Sequence, residues 1–133
     1  MPLLEQAMKV NKGMPSYIVS RVREIPGVSS VLVVGVSYKE DVPDLRESPA
    51  LDVIEELDLL GYNVSYHDPL IPQLLVGGRK EMTSIKLDQS FDVGVIITGH
   101  SSLDLARILE VCSVVLDTRD VLSSSNNQKV MRF

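Results

Sequence analysis

A chain of 133 residues with 44% hydrophobic and 23% charged side chains suits one globular domain with a core of its own. Its net charge of −5, from 13 Lys and Arg against 18 Asp and Glu, offers no basic stripe for nucleic acid, and no apolar run nears the ~20 residues of a membrane helix. One cysteine, Cys112, excludes an internal disulfide and a thiolate-cage zinc site, and Met1-Pro2-Leu3-Leu4-Glu5-Gln6 lacks the basic-then-apolar order of a secretory signal. The expectation is a soluble cytoplasmic domain without nucleic-acid or membrane partners.

In chain order, helical spacing around Pro15–Ile25 turns Ile18, Val22 and Ile25 inward, and Pro26-Gly27 stops that helix. Val31–Val36 is a continuous apolar run, as a strand covered on both faces requires. Pro49–Leu60 reads as a second helix with Ser48 as N-cap, Leu51, Ile54 and Leu57 on one side, and Gly61 as its stop. Asn63–His67 is the second strand. Residues 71–90 stay open: Gly77-Gly78-Arg79-Lys80 reads as a turn, and Thr83–Leu87 as a short strand or a partial helix. Val93–Thr98 is the third strand. Ser101–Val111 opens with a capping-box spacing, Ser101-x-x-Asp104, and places Leu105, Ile108, Leu109 and Cys112 on one helical stripe. Val114–Asp117 is the fourth strand, and polar Ser123–Gln128 reads as a frayed tail.

Strands alternating with helices imply βαβ units. The predicted fold is therefore α/β, a three-layer Rossmann-like domain with a mainly parallel sheet and helices on both faces. In such sheets ligands bind outside the carboxyl ends of the strands. The segments following the strands here carry Lys39, Arg119 and both histidines, His67 and His100, on a single edge. Core packing needs none of them, and Lys39 with Arg119 points to a small anionic ligand. Helix N-termini at Ser48 and Ser101 would add N–H donors. A dinucleotide cradle is absent from the first turn, because Gly35-Val36-Ser37-Tyr38-Lys39-Glu40 holds one glycine of the three in G-x-G-x-x-G. No P-loop occurs either.

The string from Gly35 to Pro49, G-V-S-Y-K-E-D-V-P-D-L-R-E-S-P, resembles the motif that opens the C-terminal domain of the UDP-glucose/GDP-mannose dehydrogenase family. Tyr66-His67-Asp68-Pro69, Thr98-Gly99-His100 and Asp117-Thr118-Arg119-Asp120 are similar to the family's later strand-end motifs, in order. Asn11-Lys12-Gly13-Met14-Pro15 resembles its segment leaving the helix that links the central and C-terminal domains. The resemblance implies residues 1–26 as the end of that linker and a first helix, 27–122 as a UDP-sugar-binding domain, and 123–133 as a polar tail. It implies NAD as cofactor, bound mainly by an N-terminal domain, and a central dimerisation domain that makes the parent enzyme a homo-oligomer. Neither domain has a counterpart in this chain, so the expectation is a substrate-binding part that is inactive alone. Residue by residue, it implies that Tyr38, Lys39 and Arg119 contact the UDP-sugar and that Arg46 faces the cofactor. Asp120 departs from the Asn or Gly frequent at its position. Arg-Glu-Ser-Pro-Ala-Leu followed by Tyr-His-Asp-Pro looks closer to the UDP-N-acetylhexosamine dehydrogenases than to the UDP-glucose enzymes.

Plainer readings stand beside these. Lys39 and Arg119 are also ordinary surface charges, Tyr38 a packing residue bordering the site, and Arg46 a partner for Asp44 or Glu47. Two histidines without clustered carboxylates make no metal site. His100 then orients a loop, Asp68 fixes the turn at Pro69, and Cys112 is core. The alternative function is a stand-alone, non-catalytic nucleotide-binding or regulatory module on a flavodoxin-like scaffold.

Overall fold

The computed structural model describes residues 15–46, 48–119, 122 and 130–132. Helix α1 covers residues 15–23. It is followed by β1 (Ser30–Val34), α2 (Pro49–Leu59), β2 (Asn63–His67), β3 (Gln73–Val76), β4 (Lys80–Thr83), β5 (Phe91–Ile96), α3 (Leu105–Val111), β6 (Cys112–Asp117) and β7 (Val130–Arg132). Strands β2-β1-β5-β6-β7 form one sheet in that order, and each neighbouring pair is parallel. The expected α/β three-layer architecture is what the chain adopts.

The continuous apolar runs follow from burial on both faces. Val31 and Val33 point into a cluster with Ile18 and Val22 of α1 and Val53 and Leu57 of α2. Leu32 and Val34 point the other way, against Ile108 and Val111 of α3. Ser48 caps α2 as expected, accepting from Ala50 N at 3.2 Å, and its hydroxyl donates to Val36 O at 2.6 Å. That second bond ties the start of α2 to the segment leaving β1. Tyr66 is fully buried in the first cluster with its hydroxyl on Ile71 O, and burial pushes that hydroxyl's pKa up to about 12.

Several local expectations are corrected. Residues 73–83 form an antiparallel hairpin around the expected glycine turn. Thr83 ends β4, and 84–87 are neither strand nor helix. The Ser101-x-x-Asp104 box does not start α3: Asp104 is the N-cap, accepting from Arg107 N at 3.1 Å, and the helix begins at Leu105. Cys112 is core, but as the first residue of β6 rather than on a helical stripe. A Cβ at Gly94 would stand 2.6 Å from the Cys112 sulfur, so that glycine makes the room Cys112 fills. Part of the expected tail is a strand, since β7 pairs with β6 through Val115↔Val130 and Leu116↔Met131. Asn11–Met14, Glu47, Asp120, Val121 and residues 123–129 lie outside the described residues.

Candidate functional site

The chain leaves β1 for β2 on one side, then returns past β1 to place β5 on the other. The loops after β1 and β5 therefore part at the point where strand order reverses, which is where open parallel sheets bind ligands. Here that point is closed underneath by a buried polar network. Asp68, at the end of β2 and 1% exposed, accepts from Val36 N at 2.7 Å and Leu70 N at 2.8 Å. His100, 3% exposed in the loop after β5, places Nε2 2.9 Å from the same carboxylate and 3.1 Å from Ser37 Oγ. Ser37 Oγ donates to Lys39 O at 2.9 Å, and Thr98 Oγ1 donates to Ser37 O at 2.6 Å. Buried polar groups are retained where each finds a partner, and in this network each does.

The tautomer of His100 follows from its neighbours. Asp41 N–H donates to Nδ1 at 2.8 Å, so Nδ1 carries no proton, the ring is neutral, and the hydrogen sits on Nε2 facing Asp68. Asp41 itself adopts φ 62, and its carboxylate accepts from Ser101 N and Oγ at 2.8 and 2.9 Å. Those bonds, the backbone one first, hold its pKa below the ordinary carboxylate value. Ser101 is thus consumed by the loop after β1 rather than offering donors to a ligand.

Above the network lie the residues singled out from the sequence. Tyr38 is 50% exposed, and Lys39 is exposed beside it. Their loop is folded back on itself by Tyr38 N on Asp44 O and Val42 N on Lys39 O. Arg119, exposed after β6, sends Nε to Ile97 O at 2.7 Å, so its guanidinium reaches back across to the end of β5. Its terminal amino groups make no hydrogen bond among the described residues. Asp117 holds this turn, accepting from Arg119 N at 3.2 Å and from Leu122 N at 2.8 Å. Lys39 and Arg119 thus stand on loops at the ends of β1 and β6, on the same sheet edge. Arg46 lies further along the first loop and clasps Asp44 through Nε and a terminal nitrogen, at 3.1 and 2.9 Å. That side-chain pairing holds the Asp44 carboxyl below its ordinary pKa.

The first turn does not fit a dinucleotide. Gly35 has φ 78, and a Cβ there would overlap the Thr98 carbonyl oxygen, so the glycine serves the approach of the loop after β5 and not of a pyrophosphate. Asp68 stands where such folds carry a ribose-binding acid, but both its oxygens are already taken. A hollow of about 280 Å³ lined by Glu55, Asp58, Leu59, Val76, Arg79 and Lys80 lies at the far end of α2, away from these loops. Among the described residues no group of three or more His, Cys, Asp or Glu is placed to hold a metal ion, and no helix is long and apolar enough to cross a membrane.

Sequence reasoning singled out His100 and Asp68 separately and missed that they form one unit with Ser37 and Asp41. The available signal was that all four are polar residues in the segments following β1, β2 and β5.

Residues 32–124 match a family described as "UDP-glucose/GDP-mannose dehydrogenase family, UDP binding domain". The chain is 27% identical over 131 residues to a UDP-N-acetyl-D-mannosamine dehydrogenase of Methanocaldococcus jannaschii, covering 91% of this chain and 30% of that protein. It is 32% identical over 139 residues to the UDP-glucose 6-dehydrogenase TuaD of Bacillus subtilis, covering 95% of this chain and 30% of that one. Among solved structures, the UDP-N-acetyl-mannosamine dehydrogenase Cap5O of Staphylococcus aureus superposes with a TM-score of 0.72 at 26% identity, over 93% of this chain and 32% of that chain. The chain spans about 30% of the length of the curated relatives it matches.

Proposed function

Because the chain belongs to the UDP-glucose/GDP-mannose dehydrogenase family and carries its UDP-binding domain, we propose that it binds the nucleotide half of a UDP-sugar whose C6 alcohol the whole enzyme oxidises to a carboxylate. The observation that carries this reading is that Lys39 follows β1 and Arg119 follows β6 on the same strand-end edge, with Arg119 reaching back to Ile97 after β5, next to the switch point of a parallel sheet. A diphosphate held there would gain two cationic donors, with the exposed Tyr38 ring as a flat wall beside the base or ribose.

The same reading makes the isolated domain inactive. NAD, which takes up hydride in this chemistry, belongs to another part of the enzyme, and the misfit of Gly35 and Asp68 to a dinucleotide supports that division. Arg46 would face the cofactor across the cleft between domains, after giving up its clasp on Asp44. An N-acetylated hexosamine is the sugar we favour, supported by the Arg46-to-Leu51 and Tyr66-to-Pro69 strings. The whole enzyme would be a cytoplasmic homo-oligomer assembled through its central domain.

The test is thermal unfolding of the chain with UDP, UMP and NAD⁺. UDP at about 100 times its Kd should raise Tm by roughly 10 °C, since ligand binding to the folded state stabilises by ~2.7 kcal/mol at that ratio. UMP should do less and NAD⁺ nothing. A response to NAD⁺ alone would reverse the assignment, and no response to any nucleotide would favour the stand-alone module.

A further inference from the structure

Two contacts of His100 straddle Lys39. Its Nδ1 accepts from Asp41 N–H, two residues after Lys39, at 2.8 Å. Its Nε2 lies 3.1 Å from Ser37 Oγ, which in turn donates to the carbonyl of Lys39 at 2.9 Å. Beneath the ring, Asp68 fixes the Nε2 hydrogen and is itself anchored to Val36 N and Leu70 N. The imidazole is wholly buried, so it acts on the surface loop through these bonds.

We propose that His100 is a positioning residue: as the neutral Nε2–H tautomer it latches the loop of residues 37–41 and thereby sets Lys39 for a nucleoside diphosphate. The latch depends on one acceptor at the Nδ1 position. A proton there would set a donor against the Asp41 N–H and release the loop. Asp41 reinforces the closed arrangement by taking Ser101 N and Oγ on its carboxylate, so the loops after β1 and β5 are stitched in both directions. The charged and titratable groups facing the ring are Asp68 from the end of β2 and Asp41 from the loop after β1. This inference rests on the nucleotide reading for its purpose, but not for its geometry.

The experiment separates the two. In the wild-type chain without ligand, ¹⁵N spectra should show His100 as the Nε2–H tautomer and a slowly exchanging Asp41 amide. His100→Asn keeps an acceptor at the Nδ1 position and gives up the reach to Asp68, whereas His100→Gln keeps a donor for Asp68 and loses that acceptor. The Asp41 amide should stay protected in the Asn variant and exchange at least about tenfold faster in the Gln variant. UDP affinity should follow the amide, weakening about tenfold in His100→Gln and staying within about threefold of wild type in His100→Asn. A purely structural role predicts instead that the two variants lose affinity in step with their losses in Tm, whatever the Asp41 amide does. The Nδ1–H tautomer in the wild type, or equal Asp41 protection in both variants, overturns the latch. A protected Asp41 amide in a chain that ignores UDP overturns the latch's purpose together with the nucleotide reading, while the ligand-free arm still decides the geometry.

Discussion

His100 Nε2 stands 2.9 Å from Asp68 Oδ2 with both side chains completely buried, joining the loop after β5 to the end of β2 beneath the outgoing segment of β1. Three chain segments that are distant in sequence meet around this contact, since Asp68 also accepts from Val36 N, and Lys39 stands on the segment so anchored.

Asp68→Asn should therefore destabilise the fold. The carboxylate accepts from Val36 N, Leu70 N and His100 Nε2, and an amide must turn one donor toward another. Leaving a buried donor without an acceptor costs about 1–3 kcal/mol, read as a fall in the urea midpoint at unchanged m-value. A midpoint equal to wild type would contradict the network.

Gly35→Ala should be worse. The residue has φ 78, and the added Cβ would overlap the Thr98 carbonyl oxygen, which is backbone and cannot swing aside. The combined strain and displacement should cost about 3 kcal/mol or more, read by the same denaturation. Gly27→Ala is the comparison: its φ is 74 with nothing within 4 Å of the new Cβ, so only the conformational strain of about 1 kcal/mol applies.

Asp92 ties the start of β1 to β5, accepting from Ser29 N at 2.8 Å, Ser30 N at 3.1 Å and Ser29 Oγ at 3.0 Å. The backbone bond from Ser29 is the largest cause of its lowered pKa. A carboxyl with a lowered native pKa contributes stability that is complete above its ordinary value of 3.8 and is lost as pH falls through the native value. Stability should thus decline in acid below about pH 4, and Asp92→Asn should flatten part of that decline while lowering stability at neutral pH. Urea unfolding at a series of pH values checks both signs.

Lys39→Ala and Arg119→Ala should separate binding from folding. Lys39→Ala removes a cation from an exposed position, so stability should change by no more than about 0.5 kcal/mol, while Arg119→Ala also gives up the Nε bond to Ile97 O and should cost about 1 kcal/mol; UDP affinity should fall about tenfold for each charge-assisted bond lost. Calorimetric titration beside thermal unfolding measures both quantities on the same sample.

What was legible in the sequence followed burial. The strands β1, β5 and β6 are covered on both faces, and that two-sided covering is what wrote them as uninterrupted apolar runs. The hairpin was illegible because β4, Lys80-Glu81-Met82-Thr83, is almost wholly exposed and its pairing with β3 is held by backbone. β7 has three residues and is recognisable only once β6 is there to pair with it. Ser101 looked like a helix cap because its spacing to Asp104 was right. Its donors go instead to Asp41, sixty residues earlier, and no local pattern records such a partner. The site was legible as separate motifs, each at the end of a strand. Their coupling through one neutral imidazole required the strand order β2-β1-β5, which adjacency in the chain does not reveal.

The most direct measurement is an amide chemical-shift titration of the 133-residue chain with UDP, and separately with NAD⁺. The account predicts that UDP moves residues 36–39, 98–101 and 117–119 and little else, with NAD⁺ leaving them in place. Movement of the same residues by NAD⁺ but not by UDP, or UDP shifts confined to the hollow beside Arg79 and Lys80, would contradict it.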